Sequence, residues 1–202
     1  MSTLPRCGLY VIVLFSFGLS ACSFPQDHKG NQTNADDATH APKTVFKRTA
    51  FGNWIDADRD CLNTRAEVLK KLSTSTVEMT DSECSVERGR WLDPYTGQTF
   101  YQARDMDIDH LVPLKWAWER GADLWSAEQR KQFANDEANL FAVQARANRS
   151  KGAKSPLEWL PPDSAFHCQY VVRFIRLSKQ YQLTLSPQES QAYSSLKTHV
   201  CG

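Results

Sequence analysis

Asp107-Ile108-Asp109-His110-Leu111-Val112-Pro113-Leu114 decides how this chain is read, together with two downstream stretches, Asn139-Leu140-Phe141-Ala142-Val143 and Asn148-Arg149-Ser150-Lys151-Gly152. Three groups in them carry usable chemistry. His110 accepts a proton near neutral pH, Asp109 is a hard oxygen ligand for a divalent cation, and Asn148 offers the same ion a neutral carbonyl oxygen. Arg146, Arg149, Lys151 and Lys154 put four positive charges into nine residues with no acid among them, which suits phosphate. Singly, each residue has a plainer reading: a histidine in a core or on the surface, an asparagine in a turn, an aspartate as a helix cap. Only the set, in this order, points to chemistry. Strict alternation along a strand would send Asp109 and His110 to opposite faces, so the strand is expected to end or bend at His110, near Pro113.

Upstream, Thr64 with Glu67 makes a capping box, and Val68, Leu69 and Leu72 follow at helical spacing, predicting a helix over 65–72. Two short runs, 88–92 and 98–103, flank the turn residues Asp93, Pro94 and Gly97 and read as a hairpin. Downstream, Pro113 opens a helix through 115–120, and Ser126 with Gln129 caps another through Phe133. Residues 139–144 read as a short strand. Val171, Phe174, Ile175 and Tyr181 mark a helix over 165–181, and Ser186, Pro187 and Glu189 begin the last one. Asp56, Asp58 and Asp60 alternate, with Glu67 twelfth in the count, as in a calcium-binding loop. Cys61, however, stands where that loop needs glycine, and Asn63 where it needs an apolar residue, so a solvated acidic loop is the better reading. Trp116 and Trp118 read as core rather than as a platform for bases.

The whole chain of 202 residues can bury one core, and its 24 Lys and Arg against 23 Asp and Glu leave nucleic-acid contact to local patches. The uninterrupted apolar run, residues 9–21 behind Arg6, is too short for a stable span. It ends in Leu19-Ser20-Ala21-Cys22, which resembles a bacterial lipobox, so 1–21 is expected to be a lipoprotein signal peptide and Cys22 the lipidated residue; an ordinary cleaved signal is the alternative. Cleavage there removes Arg6 alone among the charges and leaves 23 basic against 23 acidic residues. Residues 22–44 read as a flexible tether to the membrane, and 45–202 as the folded domain. Export leaves Cys61, Cys84, Cys168 and Cys201 for two disulfides. Of three pairings, Cys61 with Cys84 and Cys168 with Cys201 is favoured, because each would staple a flank and leave the middle free. No C-x-x-C pair supports a zinc site instead.

The set of Asp109, His110, Asn139 and Asn148 resembles the HNH endonucleases, whose ββα-metal motif carries Asp-His at the end of one strand, Asn on the next and His or Asn on the helix. Within that family the chain is similar to an extracellular branch related to the C-terminal domain of GmrSD-type modification-dependent restriction enzymes. The likeness rests on Trp54, Asp56, Asp58, Cys61, Thr64-Arg65, Val68-Leu69, Cys84, Gly89, Trp91, Asp93 and Tyr95-Thr96-Gly97. It continues through Ala117-Trp118, Gly121-Ala122, Trp125, Arg130, Phe133-Ala134-Asn135-Asp136 and Asn148 to Gly152.

The resemblance implies an α+β fold in which a ββα-metal motif sits in a small, mainly helical domain with a short hairpin and two disulfides. It implies His110 as the general base, Asp109 and Asn148 as ligands of a divalent ion, magnesium first, and Asn139 as a brace for the loop between the strands. Asn148 stands where many relatives have His. The function expected is hydrolysis of phosphodiester bonds in DNA, with RNA second, leaving 5′-phosphates and with little sequence specificity, by an enzyme lipid-anchored on the outside of a bacterial envelope. The alternative is an envelope lipoprotein that binds nucleic acid or a protein partner on the same scaffold without cutting.

Overall fold

Both faces of the apolar run 140–143 are covered, and that fact organises the architecture. The structure is a computed structural model and describes residues 44–202. The expected signal peptide, Cys22 and all but the last residue of the tether lie outside the described residues. In chain order the elements are α1 (Thr64–Leu72), β1 (Glu78–Met79), β2 (Val86–Leu92), β3 (Thr99–Gln102), β4 (Met106–His110), α2 (Leu114–Trp118), α3 (Ala127–Asn135), β5 (Leu140–Gln144), α4 (Ala145–Lys151), α5 (His167–Gln180) and α6 (Pro187–Cys201). The fold is mixed α+β. Strands β1, β2 and β3 form one antiparallel sheet, and β4 pairs with β5 in a separate antiparallel ribbon.

The ribbon lies between two apolar clusters. Met106 and Ile108 of β4, with Leu140 and Ala142 of β5, pack with Val68, Leu69 and Trp91 from α1 and β2. Phe141 and Val143 point the other way, into the larger cluster with Phe133, Tyr170, Val171 and Phe174. The odd-numbered residues of β4, Asp107 and Asp109, therefore share a face that the smaller cluster does not occupy. Buried positions recur along α5 at Tyr170, Val171, Phe174 and Leu177, the spacing of a one-sided apolar stripe.

The hairpin, the strand expected over 139–144 and the helix starts at Ser126 and Ser186 appear where the sequence predicts them, the strand as Leu140–Gln144. One cap differs. Asn63, not Thr64, accepts the backbone N–H of Ala66 and starts α1. Thr64 is buried, and its hydroxyl instead joins Ile55 O at 3.1 Å and Asn135 Oδ1 at 2.6 Å, stitching the segment before α1 to the end of α3. The second half of the helix expected over 115–120 is absent, because α2 stops at Trp118 ahead of Gly121, whose φ of 114° is open to glycine and hardly to other residues. Helix α4 has no apolar periodicity, so tertiary contacts hold it: Ala147 enters the larger core cluster and Lys151 is sealed beneath the helix.

Lys151 is fully buried. Its Nζ lies 3.1 and 2.9 Å from the two carboxylate oxygens of Asp109 and donates to the His110 carbonyl at 2.8 Å. The Tyr95 hydroxyl donates to Asp109 Oδ2 at 2.6 Å. Helix α4 is thereby bonded to the end of β4 by a charged contact from which water is excluded.

The acidic loop is ordered by its own backbone. Asp56 accepts from the N–H groups of Arg59 and Cys61, and Asp60 accepts from Leu62 N. The oxygens of Asp56, Asp58 and Asp60 lie within 4.8 Å of one another, and all three residues are exposed. Both expected disulfides are present: Cys61–Cys84 ties this loop to the start of β2, and Cys168–Cys201 joins the first turn of α5 to the end of α6. Bridges of this kind persist in oxidising compartments. Among the described residues no helix is long and apolar enough to cross a membrane.

Two stability measurements follow from these contacts. Replacing Cys168 and Cys201 by Ser should cost about 3–4 kcal/mol in denaturant titration, from the loop entropy returned to the unfolded chain. Lys151→Met should cost about 3–5 kcal/mol, because it strands the Asp109 carboxylate in the interior.

Candidate active site

His110 is the last residue of β4, so the strand does end there. The bond between Leu111 N and Asn139 O, at 2.9 Å, carries the pairing one step further. Asn139 then clamps the outgoing chain: its Oδ1 accepts Val112 N at 2.8 Å and its Nδ2 donates to Val112 O at 3.2 Å. Pro113 follows as the N-cap of α2. This double clamp, set in a fully buried side chain, fixes the exit from β4 and with it the direction of the His110 ring.

The His110 ring is 5% exposed and its Nε2 lies 2.8 Å from the Ala134 carbonyl. A carbonyl only accepts, so Nε2 carries the proton and Nδ1 is left with a lone pair. The Trp54 indole stacks on the imidazole at 5.2 Å between centroids and 9° between planes. Burial lowers the His110 pKa to about 3, with the positive charges of Arg48 and Lys151 pushing the same way, so the ring is neutral at neutral pH.

Asp107, Asp109, His110 and Asn148 border one cavity of about 400 Å³, together with Arg48, Trp54, Arg65 and Lys115. Asn148 Nδ2 donates to Asp107 Oδ2 at 3.1 Å. Burial pushes the Asp109 carboxyl above the ordinary carboxylate range, while Lys151 and Tyr95 pull it back down. Arg65 donates to the carbonyls of Ala103 and Met106 and faces the charge of Asp107; burial lowers its pKa and Asp107 opposes that. The wall thus holds two carboxylates and one carboxamide, a hard oxygen set of the kind that suits magnesium.

Of the residues expected to meet phosphate, Lys151 is a correction. Its ammonium is engaged by Asp109 and the His110 carbonyl, and the residue is wholly buried. Arg149 and Lys154 are exposed and border a second hollow of about 360 Å³, which shares Lys115, Gly152 and Ala153 with the first. Arg146 is exposed as well, but it is not part of either wall.

Four residues here have no role assigned from the sequence. Asp107 shares strand parity with Asp109, a signal that was available. Lys115 is the second residue of α2, and its sequence neighbours mark it only as helical. Tyr95 and Trp54 reach the site from 14 residues before Asp109 and 56 residues before His110, with no local pattern to announce their contacts.

Residues 63–195 match the model of the family described as "GmrSD restriction endonucleases, C-terminal domain". A protein of Arthroderma benhamiae named "Uncharacterized secreted protein" is 38% identical over 157 residues, which cover 77% of this chain and 76% of the relative. No solved structure matches the chain. With the family model spanning most of the folded residues, the chain belongs to the family of GmrSD restriction endonuclease C-terminal domains.

Proposed function

We propose that residues 45–202 are an exported, metal-dependent HNH endonuclease that hydrolyses phosphodiester bonds in DNA, and in RNA as a second substrate, with β4, β5 and α4 as its ββα-metal unit. The observation that carries the reading is the state of His110. One ring nitrogen is committed to the Ala134 carbonyl, the other keeps its lone pair, and the ring borders the cavity that also holds Asp107, Asp109 and Asn148. Family membership supplies the reaction class.

In this reading His110 Nδ1 takes the proton of the attacking water, and the bond from Nε2–H to Ala134 holds the ring in the competent tautomer through the step. Trp54 covers one face of the imidazole and keeps solvent from it. Asn139 holds the exit from β4, and Lys151 with Tyr95 holds the Asp109 carboxylate at the wall. The divalent ion, magnesium first, would be held by Asp109 and Asn148, and when bound it neutralises charge on the phosphoryl and leaving oxygens. Lys115, Arg149 and Lys154 along the joined hollows, and Arg146 beside them, give the backbone of a polynucleotide its positive partners. The absence of any base-reading element in this account goes with low sequence specificity.

Export is supported by the two disulfides, by the apolar leader and by the secreted relative; the lipid anchor at Cys22 rests on the lipobox-like residues before it.

The purified domain should degrade plasmid DNA with magnesium and stop when a chelator is added. His110→Ala and His110→Gln should lower the rate by about 10²–10⁴-fold while the melting temperature stays within a few degrees for at least one of them. Cleavage by both variants at the unaltered rate would remove His110 from the mechanism. In cells, Cys22→Ala should move the protein from the membrane fraction to the soluble one; membrane retention in high salt after confirmed signal removal would refute the anchor.

A further inference from the structure

The charge around the candidate metal site does not add up to a dication site if Asp109 and Asn148 act alone. Asp109 is neutralised by Lys151, 2.9 Å away and fully buried, and Asn148 carries no charge. Asp109 is also short of free acceptor positions. Oδ2 already takes Tyr95 and Oδ1 takes Lys151, so two of about four lone-pair sites are engaged, and the ammonium lies against both oxygens. A divalent ion placed there would meet an ammonium, a carboxylate and an amide, with no net negative charge to hold it.

Asp107 supplies what is missing. It lies two residues before Asp109 on the same face of β4, is only partly buried, and borders the same cavity. Its Oδ2 is 3.1 Å from Asn148 Nδ2. Turning the Asn148 carboxamide half a turn about its terminal torsion puts Oδ1 where Nδ2 now stands, and in a neutral environment that would set two acceptors against each other. A cation between them reverses the sign. Adjacent ligands of octahedral magnesium, at about 2.0–2.1 Å from the metal, lie about 2.9 Å apart, close to the present separation of the two side-chain atoms. Arg65 faces Asp107 as well and keeps its charge, but its hydrogen bonds go to the carbonyls of Ala103 and Met106 and leave the Asp107 oxygens open.

We propose that Asp107 is a metal ligand, paired with a flipped Asn148, and that it provides a second carboxylate, not bound to a lysine as Asp109 is, while Asp109, held by Lys151 and Tyr95, contributes a single oxygen. The proposal rests on the metal-dependent reading given above. It makes Lys151 a positioning residue for Asp109 rather than a competitor for the ion.

The test is binding of Mn²⁺ alone to the purified protein, followed by calorimetry and by the electron paramagnetic resonance of free Mn²⁺, so that no turnover enters the readout. Asp107→Asn keeps the size of the side chain; Asp107→Ser serves as a second variant, and each is checked by its melting temperature. Both should bind Mn²⁺ at least about 10-fold more weakly than the unaltered protein, as should Asn148→Ala. If the unaltered protein and both Asp107 variants bind Mn²⁺ with affinities within about two-fold, while Asn148→Ala binds more weakly, the assignment of Asp107 is wrong and the metal-dependent reading stands. If the unaltered protein shows no Mn²⁺ binding at millimolar concentration, both fall together.

Discussion

A lysine ammonium sealed under a short helix holds the centre of this molecule together. Lys151 reaches from α4 to both oxygens of Asp109 and to the carbonyl of His110, so one side chain fixes the helix against the last two residues of the strand. Neither charge can be removed cheaply, because taking one partner away leaves the other buried without compensation. The Tyr95 hydroxyl brings the turn after β2 onto the same carboxylate. The value of such a contact is less in net stability, which a well-packed apolar pair could match, than in register. It sets which residues of α4 face which residues of β4, and so puts Asn148 opposite Asp107.

Around that contact the ribbon is confined on both sides. Leu140 and Ala142 face one cluster, Phe141 and Val143 the other, and Asn139 locks the chain that leaves His110. A ribbon confined in this way has little freedom to slip, since a one-residue shift would exchange its two faces. The rigidity matters for His110, whose usefulness depends on one nitrogen being tied to Ala134 so that the other is left open. The ring is held by a stacked indole, a backbone carbonyl and the end of a strand, three constraints drawn from different parts of the chain.

Much of this was legible in the sequence, and for local reasons. Ser126 with Gln129 and Ser186 with Glu189 are complete capping signals within four residues, and each heads a helix as written. The apolar run after Asn139 and the Pro and Gly turn after Leu92 are equally local. Cys61, Cys84, Cys168 and Cys201 pair as expected because each pair joins neighbouring parts of one flank. What escaped depends on distance. Thr64 looked like a cap, yet Asn135, 71 residues later, claims its hydroxyl and hands the cap to Asn63. Lys151 looked like one more cation in a basic run, and only the fold reveals that it lies on the inner side of α4 against Asp109. Trp54 has no neighbour in sequence that predicts a histidine on its face. The resemblance named the acid, the histidine and the two asparagines, but it was silent on Asp107, which the pairing with Asn148 brings forward.

The central claim is that the fold delivers a neutral His110 with Nδ1 free to take a proton. Long-range ¹H–¹⁵N correlation spectra of the ¹⁵N-labelled protein at neutral pH report the protonation of each imidazole nitrogen directly. The account predicts that His110 is a neutral ring protonated at Nε2 alone; a ring protonated at Nδ1, or at both nitrogens, would contradict it.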